Sequence, residues 1–172
     1  GLFKLQDNTV LDKNYVLSAA TTIDLNGYNL TYTGSDAIMI RVADGGSLTI
    51  TGDGNVDAGE SYIASANAGG IITVEGGNFT TTGPTLFQAN GGKVYISGGY
   101  FDNDSANYGT TYMLNHVDSK KNDGLIEVSG GRFYMYDPAK SASENPVMNF
   151  VKDGFGSFKD GDWYVVNAVN DY

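Results

Sequence analysis

One short motif recurs along this chain: a strand of alternating apolar and polar residues, bounded by glycines and followed in its clearest copies by phenylalanine. The copies lie at residues 69–79, 91–101 and 124–133, with a fainter one at 45–52. Equivalent glycines are separated by 24 residues (Gly46 to Gly70), 22 residues (Gly70 to Gly92) and 32 residues (Gly92 to Gly124). Repeats of roughly 20 to 50 residues indicate a solenoid, a propeller or an array.

Each period holds about three short strands and no helical periodicity, which excludes leucine-rich, ankyrin and tetratricopeptide repeats. Three apolar columns recur in the aligned copies: Ile23, Leu48, Ile72, Val94 and Ile126; Leu25, Ile50, Val74, Ile96 and Val128; and Phe79, Phe101 and Phe133, with Leu30 and Val56 as earlier equivalents. Alternation turns these columns inward and leaves Thr49, Thr73, Tyr95 and Glu127 facing out. The pattern predicts an all-β parallel β-helix of about five to six short coils.

The flanking segments differ from the repeat. Residues 1–19 carry short apolar groups between polar turns and are expected to form an N-terminal cap or strands; residues 20–135 form the predicted β-helix. Residues 136–172 are expected to form a small C-terminal β cap, with a hairpin at Asp160-Gly161, because an open solenoid end exposes strand edges. The polar insertion at 102–123 is expected to be a loop on a binding face.

Several corner motifs resemble those of right-handed parallel β-helix proteins of the pectate-lyase-like superfamily. They are Thr-Ile-Asp-Leu-Asn-Gly at 22–27, Leu-Thr-Ile-Thr-Gly-Asp-Gly at 48–54, and Val-x-Gly-Gly-x-Phe at 74–79 and 128–133, with Ile in first place at 96–101. The resemblance implies a right-handed, single-stranded β-helix over roughly residues 20–135.

The C-terminal part is similar to the ends of β-helix proteins from tailed bacteriophages and gut-bacterial prophages. The similar segments are residues 129–133, 137–138, 149–155 and 163–166. This resemblance implies a virion fibre, spike or head decoration located on a virion, or otherwise extracellular or at a cell surface. It also implies a homo-oligomer, with a trimer favoured, contacts with other virion proteins, and attachment to a host surface or its glycans.

Composition narrows the function classes. The net charge of −10 and the pI near 4.2 argue against a nucleic-acid partner, which requires a basic face. No apolar run approaches membrane-spanning length, so no membrane insertion is expected. The chain has no cysteine, so it has no thiolate chemistry and no disulfide framework.

The sequence contains only weak candidates for catalytic or metal-binding residues. A lyase needs a base beside calcium-binding carboxylates, but Arg41 and Arg132 lie far apart in the repeat. Among carboxylates, Glu75 and Glu127 fall in different outward columns two coils apart, so no catalytic residue is expected. Residues 53–60 superficially match the start of a calcium loop, but the sharp-turn glycine is displaced and position twelve is alanine. No cofactor is therefore expected, and weak Ca²⁺ candidates are Asp53, Asn55, Asp57, Asp102 and Asp104.

Aromatic residues are the better candidates for binding. They concentrate in the C-terminal half, and the candidate set is Tyr95, Tyr100, Tyr134, Tyr136, Trp163 and Tyr164. Such side chains stack on sugars, bury against another subunit or shield a solenoid end. We favour subunit contact, because so short a rod gains most from association. The sequence therefore favours a structural or adhesive virion protein that is not an enzyme; the alternatives are a bacterial cell-surface adhesin or filament subunit and, third, a polysaccharide-degrading enzyme.

Overall fold

The computed structural model describes residues 1–103, 112–142, 144 and 146–169. Within them, regular structure is almost entirely β, with a single turn of 3-10 helix at Asp118–Lys120. The strands are β1 (Leu2–Lys4), β2 (Thr9–Leu11), β3 (Tyr15–Leu17), β4 (Ala20–Asp24), β5 (Asn29–Tyr32), β6 (Ile38–Val42), β7 (Ser47–Thr51), β8 (Asn55–Asp57), β9 (Tyr62–Asn67), β10 (Ile71–Val74), β11 (Asn78–Thr80), β12 (Phe87–Asn90), β13 (Lys93–Ile96), β14 (Tyr100–Asp102), β15 (Leu114–His116), β16 (Leu125–Val128), β17 (Arg132–Tyr134), β18 (Phe155–Asp160) and β19 (Trp163–Ala168).

These strands form three sheets. Sheet A has the order β1-β4-β7-β10-β13-β16, sheet B the order β18-β19-β17-β14-β11-β8-β5-β2, and sheet C the order β15-β12-β9-β6-β3. Three consecutive strands enter sheets A, B and C in turn and complete one coil. The next three strands pair parallel with them and form the following coil. The predicted all-β parallel β-solenoid is therefore confirmed, with a coil number that is roughly the predicted one. No helix in the described part of the chain is long and apolar enough to cross a membrane.

The predicted columns hold for four of the five copies in sheet A. Ile72 lies opposite Leu48 and Val94, for example, with the flanking pairs in the same register. The first copy needs a correction, because Ile23 pairs with Ile50, two residues from the expected register. Leu25 consequently leaves the strand and is fully buried at the corner. It fills space left by corner glycines: a Cβ on Gly54 or Gly77 would lie only 2.9 Å from Leu25 side-chain atoms.

The phenylalanine column forms a ladder of rings inside the solenoid. Phe79 and Phe101 stack with centroids 5.2 Å apart, and Phe101 and Phe133 stack at 4.7 Å. Phe87 of sheet C meets the ladder edge-on, 5.3 Å from Phe79. All four side chains are fully buried. Phe87 therefore links the ladder of sheet B to sheet C across the core. The sequence repeat predicts the column of Phe79, Phe101 and Phe133.

The two ends of the solenoid differ. Segment 1–19, predicted as a cap or strands, supplies β1, β2 and β3, which pair with β4, β5 and β6 as the first rungs of the three sheets. At the other end, β19 pairs antiparallel with both β17 and β18, and the hairpin turns at Gly161 with φ of 62°. The predicted C-terminal β cap is therefore present, whereas the N-terminal rungs have no strand beneath them among the described residues.

Candidate binding groove

A half-open groove of about 250 Å³ runs over the corners between sheets A and B. We call it the glycine groove, because Gly54, Gly76, Gly77 and Gly99 from three successive coils form its floor. Gly77 and Gly99 have φ angles of 111° and 113°, a conformation that favours glycine. A Cβ at Gly54 or Gly77 would approach the Leu25 side chain, and one at Gly99 would approach the Phe101 ring, so the corners need glycine for close packing of successive coils.

Four polar side chains line the glycine groove. Asp53 and Glu75 line it together with Asn78 and Tyr100, at the starts of β11 and β14. Asn78 ends a ladder of side-chain amides, in which Asn78 donates to Asn55 over 3.2 Å and Asn55 donates to Asn29 over 2.9 Å. This ladder fixes the rotamer of Asn78. The groove thus combines two carboxylates, one oriented amide and one phenol.

Beside the groove, three aromatic rings form what we call the aromatic shelf: Tyr100, Tyr134 and Trp163. Trp163 lies edge-on to Tyr100, with centroids 6.0 Å apart, and at 5.3 Å from Tyr134, its cross-strand partner. Arg132 approaches the Trp163 ring with its guanidinium carbon 6.0 Å from the centroid, and its Nη2 lies 2.9 Å from Asp160 Oδ2. The C-terminal hairpin therefore supports the shelf, while Tyr100 stays 51% exposed and also lines the groove.

The six predicted aromatic residues separate into two groups. Tyr100, Tyr134 and Trp163 are brought together, whereas half-buried Tyr95 lies on sheet A between Thr73 and Glu127. Tyr164 is also half-buried, and it lies opposite the inward-facing Phe133.

Tyr136 is a correction to the predicted set. Only 4% of it is exposed, and its hydroxyl donates to Ser141 Oγ over 2.7 Å. Burial strongly raises the pKa of this phenol. The C-terminal segment covers it, so Tyr136 belongs to the core and offers no surface for binding.

The weak calcium candidates do not gather into one site. Asn55 is part of the amide ladder, and Asp57 Oδ1 accepts the backbone N–H of Gly59 at 2.8 Å, closing its own turn. Asp53 lies in the glycine groove, Asp102 is half-buried on β14, and Asp104 lies outside the described residues. No group of three or more His, Cys, Asp or Glu side chains in the described ranges could hold a metal ion.

Sequence reasoning missed the proximity of Asp53 and Glu75. It compared carboxylates along the outward columns of strands, whereas these two lie at the corners. The available signal was their position beside glycines, in Gly52-Asp53-Gly54 and Glu75-Gly76-Gly77. Corners of successive coils stack as the strands do, so both acids line one groove.

No protein-family model matches this sequence, and comparison with curated proteins and with solved structures finds no match. The similarity to pectate-lyase-like and bacteriophage proteins therefore rests on the sequence motifs alone. The assignment that stands is a parallel β-solenoid with a groove over its middle coils and an aromatic shelf beside its C-terminal hairpin.

Proposed function

We propose that this protein is a rigid β-solenoid that attaches to glycans through the glycine groove and the aromatic shelf, without covalent chemistry. One observation carries the proposal: half-exposed Tyr100 lines the groove and is also part of the shelf. An exposed ring held by a second ring is a platform for the apolar face of a sugar.

The polar groups beside Tyr100 suit the hydroxyls of such a sugar. Carboxylate oxygens of Asp53 and Glu75 accept hydrogen bonds, and the Asn78 amide can donate and accept. A few fixed polar groups beside an apolar platform are typical of a small-molecule site. The net charge of −10 repels acidic polysaccharides, so the ligand class we propose is a neutral glycan.

The setting that we propose is a bacteriophage virion, in which the solenoid serves as a fibre, spike or head decoration that displays the groove to a host surface. The sequence similarity of residues 129–166 favours this setting. The same similarity is the basis for the expected homo-oligomer and for contacts to other virion proteins. A bacterial cell-surface adhesin or filament subunit is the alternative. Immunogold labelling distinguishes the two: label on phage particles supports the first, and label on uninfected cells supports the second.

A glycan array with neutral oligosaccharides, followed by titration calorimetry on the strongest ligand, tests the binding proposal. Tyr100→Ala removes the platform, and we expect it to weaken binding at least about tenfold, or about 1.4 kcal/mol. Tyr95→Ala is the matched control, because Tyr95 lies on sheet A and does not line the groove. Equal affinity of Tyr100→Ala and the parent protein would contradict the proposal.

A second function, glycoside hydrolysis, is favoured by a specific observation: Asp53 and Glu75 line one groove. Glycosidases use a pair of carboxyl groups on either side of the scissile bond. Incubating the array ligand with the protein and measuring released reducing ends distinguishes the two functions. Release that is lost in both Asp53→Asn and Glu75→Gln would establish hydrolysis, while binding without release supports attachment.

A further inference from the structure

The side chain of Arg132 contacts both strands of the C-terminal hairpin. Its Nη2 lies 2.9 Å from Oδ2 of Asp160 on β18, and its guanidinium carbon lies 6.0 Å from the ring centroid of Trp163 on β19. Asp160 and Trp163 are cross-strand partners on either side of the turn at Gly161. A guanidinium can bind a carboxylate in its own plane and attract an aromatic ring with its charge. The ion pair with Asp160 therefore keeps the guanidinium beside the Trp163 ring.

Trp163 in turn supports the ring of Tyr100. The two rings meet edge to face, with an interplanar angle of 86°, an arrangement that aromatic pairs favour. Tyr100 lies directly opposite Arg132 on the neighbouring strand. Among the residues that the structure describes, no other aromatic ring contacts Tyr100. The orientation of this half-exposed ring thus depends on where Trp163 is held.

The backbone fold does not depend on the Arg132–Asp160 pair. The two side chains are 36% and 67% exposed, and exposed ion pairs contribute little to stability. The hairpin is also held by main-chain hydrogen bonds, because β19 pairs with β17 and the N–H of Met135 donates to the Asp162 carbonyl over 2.7 Å. Breaking the ion pair should therefore leave the strands in place and release the Trp163 ring.

We propose that Arg132 and Asp160 are positioning residues for the glycan site, which act through Trp163 on the orientation of Tyr100. This inference rests on the proposed function, in which Tyr100 is the platform for the sugar. It also predicts an unusual dependence on salt. An exposed ion pair is screened at high ionic strength, so the protein should bind even an uncharged glycan more weakly there.

The ring positions are tested first in the protein without a ligand. Arg132→Glu places two carboxylates side by side, and combining it with Asp160→Arg restores an ion pair with the charges exchanged. Near-ultraviolet circular dichroism reports Trp163, the single tryptophan, and the NMR shifts of the Tyr100 ring protons report the ring current of Trp163. We expect Arg132→Glu to change both signals, the exchanged pair to restore the Tyr100 shifts, and the far-ultraviolet spectrum to stay constant. Unchanged Tyr100 shifts in Arg132→Glu would overturn the proposal.

Affinity is tested by calorimetry with three neutral hexasaccharides, cellohexaose, maltohexaose and mannohexaose. For the parent protein we expect affinity to fall about two- to fivefold between about 0.02 M and about 1 M sodium chloride, the range that an exposed ion pair can supply. Arg132→Glu should bind more weakly by a similar factor at low salt and show no salt dependence. Arg41→Glu is the matched control, because it breaks a similarly exposed ion pair, with Asp36 at 2.8 Å, that lies outside the groove and the shelf. This control should keep both the affinity of the parent and its salt dependence.

The outcomes separate this inference from the function on which it rests. Weaker binding in Tyr100→Ala with parental binding in Arg132→Glu would leave the proposed function standing and refute the positioning role. Equal binding by Tyr100→Ala and the parent, or no binding of any hexasaccharide, would contradict the proposed function, while the Tyr100 shifts would still decide whether the ion pair orients the ring. If the exchanged pair restored the Tyr100 shifts but not the affinity, Arg132 would contact the sugar itself, which would also overturn the positioning role.

Discussion

Replacing Phe101 by leucine tests whether the ring ladder stabilises the solenoid by ring–ring contact as well as by filling space. Phe101 is fully buried, stacks on Phe79 at 5.2 Å and on Phe133 at 4.7 Å, and meets Phe87 edge-on at 6.2 Å. Phe101→Leu keeps an apolar side chain and removes all three ring contacts. Each such contact contributes about 0.5 to 1.5 kcal/mol beyond burial, so the three together contribute about 1.5 to 4.5 kcal/mol.

Phe150→Leu is the matched control for this measurement. Phe150 is also buried, with 2% exposed, but its ring contacts no other aromatic ring among the residues that the structure describes. A swap between apolar residues of similar volume usually costs less than about 1.5 kcal/mol. We therefore expect Phe101→Leu to lower the free energy of unfolding by at least about 1.5 kcal/mol more than Phe150→Leu does.

Urea unfolding followed by circular dichroism measures both variants, at one fixed protein concentration because association shifts apparent stability. Far-ultraviolet ellipticity reports the sheets, and fluorescence of Trp163, the single tryptophan, reports the C-terminal hairpin. Equal losses for Phe101→Leu and Phe150→Leu would refute the reasoning, because they would mean that the rings act only as apolar volume.

Three further predictions concern the corners and the ionisable groups. Gly130→Ala drives a Cβ into a backbone carbonyl of the neighbouring coil and should lower the urea midpoint more than Gly161→Ala, which faces open space and costs only about 1 to 2 kcal/mol of backbone strain. Burial raises the pKa of Tyr136, so the stabilisation linked to its protonation is complete below the ordinary tyrosine pKa of about 10 and is lost as pH rises further. Between pH 9 and 11, the urea midpoint of Tyr136→Phe should therefore fall less than that of the parent protein. A backbone N–H two residues on and the Arg41 guanidinium lower the pKa of Asp36, so its NMR titration should have a midpoint below 3.8 and should shift upward in Arg41→Gln. The stabilisation from Asp36 is present above its ordinary pKa and is lost as pH falls through the lowered one.

The repeat made the fold predictable because each coil imposes the same packing problem on its sequence. Phe79, Phe101 and Phe133 follow equivalent glycine corners, and the spacing alone places them in one column. The register of β4 was mispredicted because its corner is built differently, with Asn26 at a positive φ of 52° and Leu25 filling the space beneath the glycines of later coils.

The candidate site was less predictable, because it depends on segments outside the repeat. Tyr100, Tyr134 and Trp163 are all binding candidates from the sequence, but Trp163 reaches the two tyrosines only through the antiparallel pairing of β19 with β17. Burial of Tyr136 depends in the same way on the C-terminal segment that covers it, and Ser141 belongs to that segment. Nothing in the periodicity specifies where a non-repeating segment lies.

The position of the site follows from where the repeat changes. On the outer face of sheet B, one column runs through Asn29, Asn55 and Asn78, whose amides bond to one another from coil to coil. A ladder of identical groups satisfies itself and presents the same surface at every rung, so it cannot single out one place for a ligand. The next rungs of that column are Tyr100 and Arg132, which cannot continue the amide ladder. Their side chains turn to Trp163 and Asp160 of the hairpin, and Tyr100, on the first rung after the ladder ends, is the residue at which the groove meets the shelf.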